Sequence, residues 1–411
     1  MKVNFFIAGR LLADKDNKNK ISSPIIKIAI VSIAIGMVIM LISMATGMGL
    51  QHKIREKISA FSGHIIISNF DTNRSGLTLE PVSLRQEFYP RFKNIEGIKN
   101  VQAFATIGGI IRTSKDFEGI IYKGVDSLYD KDLFKPYIIE GKIPDFGLSK
   151  PNDSVLISNT IAKRLNLHLH DKFNTYFIRK GSQKPQLRVF KIAGIYDSGF
   201  DDFDKTYILG DLRMVQKLYK WQDTLTGGFE VILNDFDQID EKTNQIYENI
   251  SSTLNTTSIK EKYPLIFNWL QMFDFNILMI LSIIIFIAGL NMITTLLVMI
   301  LEKRSFIAIL KVLGSNNRRL QRIFLIQAAY IIGIGLLIGN ILGLSLILLQ
   351  KYFGIIHLNP ETYYVRTAPV YINLKYVLML NAGVLISILF MLLLPVLVIS
   401  KIAPAKVLKY D

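Results

Sequence analysis

Charged side chains are absent from four stretches of the chain, Ile28–His52, Phe275–Leu301, Ile323–Gln350 and Tyr376–Ser400, each at least 25 residues long. A helix rises about 1.5 Å per residue, so every stretch exceeds the roughly 30 Å hydrocarbon core of a bilayer. Inside lipid the backbone must satisfy its own polar groups, and the stretches are too long for barrel strands; four α-helical spans are predicted. A polar segment of more than 200 residues separates the first from the second, giving a one-plus-three layout. The expected division is an interfacial helix and linker over 1–27, spans over 28–52, 274–301, 323–350 and 376–400, an external domain over 53–273, a loop over 302–322, a short external loop over 351–375 and a tail over 401–411. The first apolar run follows 27 mixed residues and is longer than a signal-peptide core, so it reads as a retained anchor.

Within the long polar segment the periodicity is mixed. Strands are predicted at Phe104–Arg112, Ile120–Val125, Val155–Ser158, Phe173–Arg179, Arg188–Tyr196, Thr206–Leu209 and Phe229–Leu233, and a helix-to-strand switch at Ser62-Gly63 before Ile65-Ile66-Ile67. Helical patterns fall at Ser83–Phe92, Asn159–Leu165, Leu212–Tyr219 and Gln238–Leu254. The fold class is therefore an α-helical membrane protein with a large extracytoplasmic α+β domain, divided into two lobes near 97–101 and near 235. The acidic run Ser198–Asp204 reads as a solvated turn rather than a calcium loop, whose spacing it lacks. His168 and His170, at i and i+2, would share one side of a strand, but no third metal ligand is in view.

Charge fixes the orientation. Residues 1–27 carry six basic and two acidic side chains, 302–322 six and one, and 401–411 three and one, whereas 53–273 is nearly balanced at 30 against 27. Short basic loops stay in the cytoplasm, so both termini and 302–322 are expected there, with 53–273 and 351–375 outside. The net charge of +15 lies beside the membrane rather than on one domain face, which argues against a nucleic-acid partner. With no cysteine there is neither a disulfide framework nor a cysteine metal site. Residues 2–12, with Phe5, Phe6, Ile7, Leu11 and Leu12 beside Lys2 and Arg10, suit a helix lying in the interface, followed by a polar linker from Asp14 to Ser23.

The loop Glu302–Ser315 carries two helical stripes, Phe306, Ile309, Leu310 and Leu313 on one face and Lys303, Ile307, Lys311 and Gly314 on another. Gly314 suits the left-handed position after a helix, and Ser315 or Asn316 can cap the next helix. A short helix, a sharp stop and a new helix make a rigid knuckle below the bilayer. No Gly-x-x-x-x-Gly-Lys-Ser/Thr phosphate loop occurs, and no nucleophile, base and orienter can be assembled from the sequence. No active site is expected; energy must come from a partner.

The run Glu302 to Ser315 resembles the coupling segment of the FtsX/MacB-type ABC permeases. Glu140-Gly141-Lys142, followed by Asp153 to Asp171 with its strand, helix and turn, is similar to that family's periplasmic-domain signature. The opening Phe6-Ile7-Ala8-Gly9-Arg10-Leu11-Leu12 and Ser62-Gly63-His64-Ile65 look most like the lipoprotein-releasing, LolC/LolE-like subunits, and the likeness spans nearly the whole chain. Phe306 stands where the family usually has a carboxylate, and Asn166 and His170 replace glycines, which is tolerable because Asn and His visit the left-handed region. Lys180–Gln186 is shorter than the insert with which related subunits grip a soluble carrier.

The resemblance implies a non-catalytic permease of the bacterial cytoplasmic (inner) membrane, working by mechanotransmission. ATP and magnesium would sit on a separate pair of cytoplasmic ABC ATPase subunits, coupled through Glu302, Lys303, Arg304, Phe306, Ile307, Ile309, Leu310, Lys311, Leu313 and Gly314. It also implies a second permease protomer, identical or a paralogue, and a lipoprotein cargo with a periplasmic carrier. A MacB-like exporter of peptides or small molecules and an FtsX-like scaffold acting on a cell-wall hydrolase are the other readings. Gly335, Gly339 and Gly343 line one face of the third span and let a helix approach closely, either within the chain or from the second protomer. Met37, Met40, Met44 and Met48 form a stripe on the first span, a candidate lipid contact that also suits ordinary packing. Asn291, Gln327, Asn340 and Asn381 are read as interhelical hydrogen-bonding groups, and Pro395 as a site of kinking.

Overall fold

One helix, Ser22–Ser62, carries the chain without interruption from the first apolar stretch into the polar segment. Gly63 stops it: at φ +63° its N–H donates to Ser59 O at 2.8 Å, and a Cβ there would lie 2.9 Å from Glu230 Cβ. The stop is a left-handed glycine cap, and Ile65 begins the first strand directly after it. The computed structural model describes residues 22–70, 77–78, 80–147, 151–178, 184–365 and 367–401. The expected interfacial helix over 2–12 and the linker up to residue 21 lie outside the described residues, as do 402–411 of the tail, residue 179 at the end of a predicted strand and 180–183 of the short insert.

The chain divides into two compact units. One holds the spans. The other comprises His52–Asn268 together with Leu358–Arg366, nine residues of the loop between the third and fourth spans. The sequence marks this stretch only as part of a short external loop over 351–375; its nine residues belong to the α+β unit.

The strands of the α+β unit are β1 (Ile65–Asn69), β2 (Val82–Ser83), β3 (Ile98–Arg112), β4 (Phe117–Val125), β5 (Ile138–Gly141), β6 (Ser154–Ser158), β7 (Lys172–Phe177), β8 (Gln186–Tyr196), β9 (Tyr207–Asp211), β10 (Leu225–Thr226), β11 (Gly228–Leu233) and β12 (Leu254–Ser258). Ten of them form one sheet in the order β12-β1-β11-β3-β4-β9-β6-β8-β5, and β7 pairs with both β3 and β8. The path β3-β4-β9-β6-β8-β7 therefore closes on itself as a ring, with β11, β1 and β12 extending from β3 as a wing. β3 serves both parts, its first half pairing with β11 and its second with β4 and β7. Of the two positions where a division into lobes was expected, the first, near 97–101, falls on the opening of the 15-residue β3, which joins ring and wing, and the second, near 235, follows the end of β11. β11 is buried along its whole length, as a strand flanked by β1 and β3 should be.

Local corrections have local causes. Ser83–Phe92 is not helical: Leu84 N–H donates to Thr224 O, β2 pairs with β10, Pro81 precedes the segment and Pro90 lies within it. The helix expected over Gln238–Leu254 runs only from Ile239 to Glu248, and β12 follows it. The helix Asn159–Leu165 is capped by Ser158, whose Oγ accepts from Ile161 N–H at 3.1 Å, and Asn166 closes it at φ 51°. His168 and His170 lie in the turn before β7 rather than on a strand; His170 has φ 71°, and His168 N–H donates to Asp171.

In the membrane unit the second span is the helix Pro264–Glu302, the third Asn317–Phe353 and the fourth Leu374–Met391 followed by two short turns ending at Lys401. The break after Met391 is explained by Pro395, which has no N–H to donate to the Met391 carbonyl. The three glycines of the third span face the first span. A Cβ at Gly335 would meet Ile33, at Gly339 it would lie 2.6 Å from Met37 Cβ, and at Gly343 it would meet Leu41. Met37 and Met40 are consequently buried among the spans, so the lipid-contact expectation fails for both, while Met44 and Met48 remain half-buried. Asn340 and Asn381 exchange side-chain amide hydrogen bonds at 2.7 and 3.1 Å, joining the third and fourth spans, and Asn291 donates to Ser32 Oγ at 2.8 Å. Gln327 differs from the expectation: it is buried, and among the described residues its Oε1 has no hydrogen-bond donor.

Candidate coupling knuckle and apolar groove

The second span ends at Glu302, and Lys303 at φ −95°, ψ 19° bends the chain into the helix Arg304–Val312. Gly314 (φ +89°) ends it: Gly314 N–H donates to Lys311 O at 3.0 Å and Ser315 N–H to Leu310 O at 2.9 Å. Asn316 then caps the third span through Arg318 N–H. Ile307 and Ala308 are completely buried against the spans. Ile307, expected to contact a partner, instead seats the helix, because the two stripes cannot both face outward from a helix lying on other helices. Phe306 and Leu310 are half-buried, whereas Ile309, Val312 and Leu313 are 49%, 65% and 75% exposed. Lys311 does not point outward either: its Nζ donates to Ile399 O at the end of the fourth span at 2.8 Å. Gln321 adds a bond to Ser400 Oγ at 3.1 Å.

The outward surface of the knuckle is thus an apolar tip, Ile309, Val312 and Leu313, beside the exposed guanidinium groups of Arg304, Arg318, Arg319 and Arg322. Val312 escaped the sequence reading because it lies between the two stripes drawn there. Such a surface suits a partner offering an apolar cleft with acidic margins.

A second feature lies between the first and second spans. A groove of about 580 Å³ is walled by Ile28, Val31, Ile35 and Ile39 on one side and by Ile284 and Ile287 on the other, with Lys27, Ser32 and Asn291 as its polar members. Its width is set where Gly36 approaches Ile284; a Cβ there would be 3.0 Å away. The apolar wall is built of isoleucines one helical face away from the methionine stripe. The signal for it was the i, i+3, i+7 spacing of Ile28, Val31 and Ile35, which a uniformly apolar span conceals.

In the α+β unit the run Ser198–Asp204 is not a solvated turn. Ser198, Phe200, Phe203 and Asp204 are buried, and the Asp204 carboxylate accepts from Ser198 N–H, Ser198 Oγ–H and Gly199 N–H at 2.7–3.1 Å. Burial raises its pKa despite these donors. Among the described residues no group of three or more His, Asp or Glu side chains converges as a metal site.

Comparison with known proteins agrees along the whole chain. Residues 28–248 match the MacB-like periplasmic core domain, and residues 278–404 the FtsX-like permease C-terminal region. The lipoprotein-releasing system transmembrane protein LolE of Haemophilus influenzae is 22% identical, covering 99% of this chain and 99% of that protein. LolC of the same organism is also 22% identical, covering 100% of this chain and 99% of its own length. The crystal structure of the extracellular domain of the noncanonic ABC-type transporter YknZ from Gram-positive bacteria superposes with a TM-score of 0.33 at 18% identity, over 47% of this chain and 99% of that one. Four helices long and apolar enough to span a membrane and a large α+β domain of MacB periplasmic type agree with both family matches: the chain belongs to the FtsX/MacB family of ABC transporter permeases.

Proposed function

We propose that this chain is the transmembrane subunit of a lipoprotein-releasing ABC transporter of the bacterial inner membrane, acting by mechanotransmission. The observation that carries the reading is the knuckle, seated by Ile307 and Lys311 yet presenting Ile309, Val312 and Leu313 outward. A partner pressing on that tip moves the spans rather than a loose loop. ATP and magnesium bind to the cytoplasmic ATPase pair, and a second permease protomer completes the membrane part. Relatives named as lipoprotein-releasing subunits cover the full chain, which supports a lipid-anchored cargo. The groove walled by Ile28, Ile35, Ile39 and Ile287 offers acyl chains an apolar surface.

Purification of the complex from its native membrane, followed by mass spectrometry of what accompanies it, tests the assignment. Triacylated protein is the expected companion. An outer-membrane channel or adaptor in its place, or a cell-wall hydrolase, would reject the cargo.

A further inference from the structure

Lys57 stands on the first-span helix close to its end and is only 6% exposed. Its Nζ donates to the main-chain oxygen of Tyr364 at 2.7 Å. Gly199 makes room for it: a Cβ at that position would lie 3.1 Å from Lys57 Nζ, and the glycine also has φ +62°. Tyr364 is held at φ 58°, a region that bulky side chains rarely enter unless the surroundings dictate it. Its ring stacks on the fully buried Phe200, with centroids 4.6 Å apart and planes 21° apart. Phe200 touches Phe203 at 5.0 Å, and Phe203 lies flat on Phe61 at 4.5 Å. Two routes therefore lead from Tyr364 to one helix, through the Lys57 ammonium and through a run of aromatic rings.

Tyr364 lies in the segment Leu358–Arg366, covalently part of the loop between the third and fourth spans but packed within the α+β unit. The base of this loop is closed by the bridge between His357 and Thr367. Gln350, at the end of the third span, adds bonds to Ile356 O at 3.2 Å and Ala368 O at 3.0 Å and accepts from Ile356 N–H at 2.9 Å. At the opposite end of these spans Lys311 ties the knuckle to Ile399, and midway the Asn340–Asn381 pair joins them.

We infer that Leu358–Arg366 is a strap that delivers motion of the knuckle and of the third and fourth spans to the end of the first-span helix, with Lys57 as the positioning residue at the junction and the Tyr364–Phe200 stack as the catch. The inference deepens the mechanotransmission reading and rests on it. It names the outer loop, rather than the second span that adjoins the knuckle, as the carrier of the work.

The test uses the full complex with its ATPase in lipid nanodiscs, with hydrogen exchange read over 52–62 and 196–211 with and without a non-hydrolysable ATP analogue. In the parent complex the analogue should change exchange there by about fivefold or more, and in Lys57→Met and Tyr364→Ala by less than about twofold, with ATP hydrolysis kept within about twofold of the parent. The chain has no cysteine, so Phe200→Cys with Tyr364→Cys allows the strap to be released and then refastened by a short bismaleimide. Refastening should restore the response, which separates loss of the strap from loss of the fold. A response that survives in the released strap, that refastening does not restore, or that is missing from the parent complex overturns the inference. Lipoprotein release is measured in parallel; a strap-dependent response without such release overturns the cargo assignment and leaves the strap standing.

Discussion

The ammonium of Lys123 lies 2.5 Å from the carboxylate of Glu230, and neither side chain is more than 3% exposed. Register brings them together: Glu230 on β11 pairs with Gln102 on β3, and Lys123 on β4 pairs with Thr106 on the same strand. The second Glu230 oxygen accepts from Gln102 Nε2 at 2.9 Å, and Lys123 also donates to Phe61 O in the last turn of the first-span helix. A cation at that end meets the negative pole of the helix dipole. Tyr129 reaches the neighbouring Ala60 O at 3.2 Å, so the helix enters the α+β unit with its final carbonyls occupied.

Removing one member of this pair leaves the other charge buried alone. Lys123→Met should destabilise the α+β unit by about 3–5 kcal/mol, and adding Glu230→Gln should recover much of that loss, because the penalty comes from the orphaned carboxylate. Urea unfolding of the full chain, followed by hydrogen exchange over β3 and β4, measures both. Equal costs for the single and the double variant would contradict the account.

The glycines of the third span make a graded prediction. Gly339→Ala brings a Cβ to 2.6 Å from Met37 Cβ and 2.8 Å from Ala34 O, backbone that cannot swing aside, and should cost about 1–3 kcal/mol. Gly333→Ala, in the same helix with nothing within 4 Å of its Cβ, should stay within about 0.5 kcal/mol of the parent. Thermal unfolding in detergent separates the two. The contrast holds only if the first span, not a second protomer, fills this face.

These two cases show what could be read from sequence. Spans are legible because lipid permits one backbone solution, so a charge-free run of 25 residues nearly fixes the structure. The glycine face was equally visible, but its occupant was not, since nothing in Gly335, Gly339 and Gly343 says which helix approaches. Lys123 and Glu230 fall in the predicted strands Ile120–Val125 and Phe229–Leu233, and nothing in the sequence pairs them. Their burial follows from a pairing across 107 positions. The same applies to Leu358–Arg366, whose membership of the α+β unit depends on Phe200 and Lys57, far away in the chain. The Ser62-Gly63-His64-Ile65 motif, by contrast, was legible and now has its reason: a helix stop, a half-buried imidazole and the start of β1.

That imidazole gives a pH dependence. His64 Nδ1 accepts from Leu233 N–H at 2.8 Å, and burial, reinforced by Lys99, lowers its pKa from 6.5 to about 4. The folded protein therefore binds fewer protons than the unfolded chain between these values. The contribution is full above about pH 6.5 and is lost as pH falls towards 4, up to about 3 kcal/mol. Hydrogen-exchange protection of β1 and β11 should fall across that window, and His64→Asn, which keeps an acceptor but does not titrate, should remove this component. An unchanged slope in the variant would exclude His64 as its source.

The knuckle supplies the most direct test of the proposed docking of an ATPase partner. Ile309 and Leu313 are exposed, whereas Ile307 is buried among the spans, so acidic substitutions at these sites should fail differently. Leu313→Asp and Ile309→Asp should leave insertion and thermal stability intact while lowering the ATPase stimulation by the permease about tenfold or more, as expected when an apolar anchor of an interface becomes charged. Ile307→Asp should instead reduce the amount of folded protein recovered from the membrane, because it buries a carboxylate in an apolar contact. Gly314→Ala, forced to φ +89°, should cost about 1 kcal/mol locally and weaken stimulation without abolishing it. Stimulation ratios of the purified complexes, set against their melting temperatures, separate docking from seating. Undiminished stimulation in both Leu313→Asp and Ile309→Asp would mean that the partner engages some other surface of this chain.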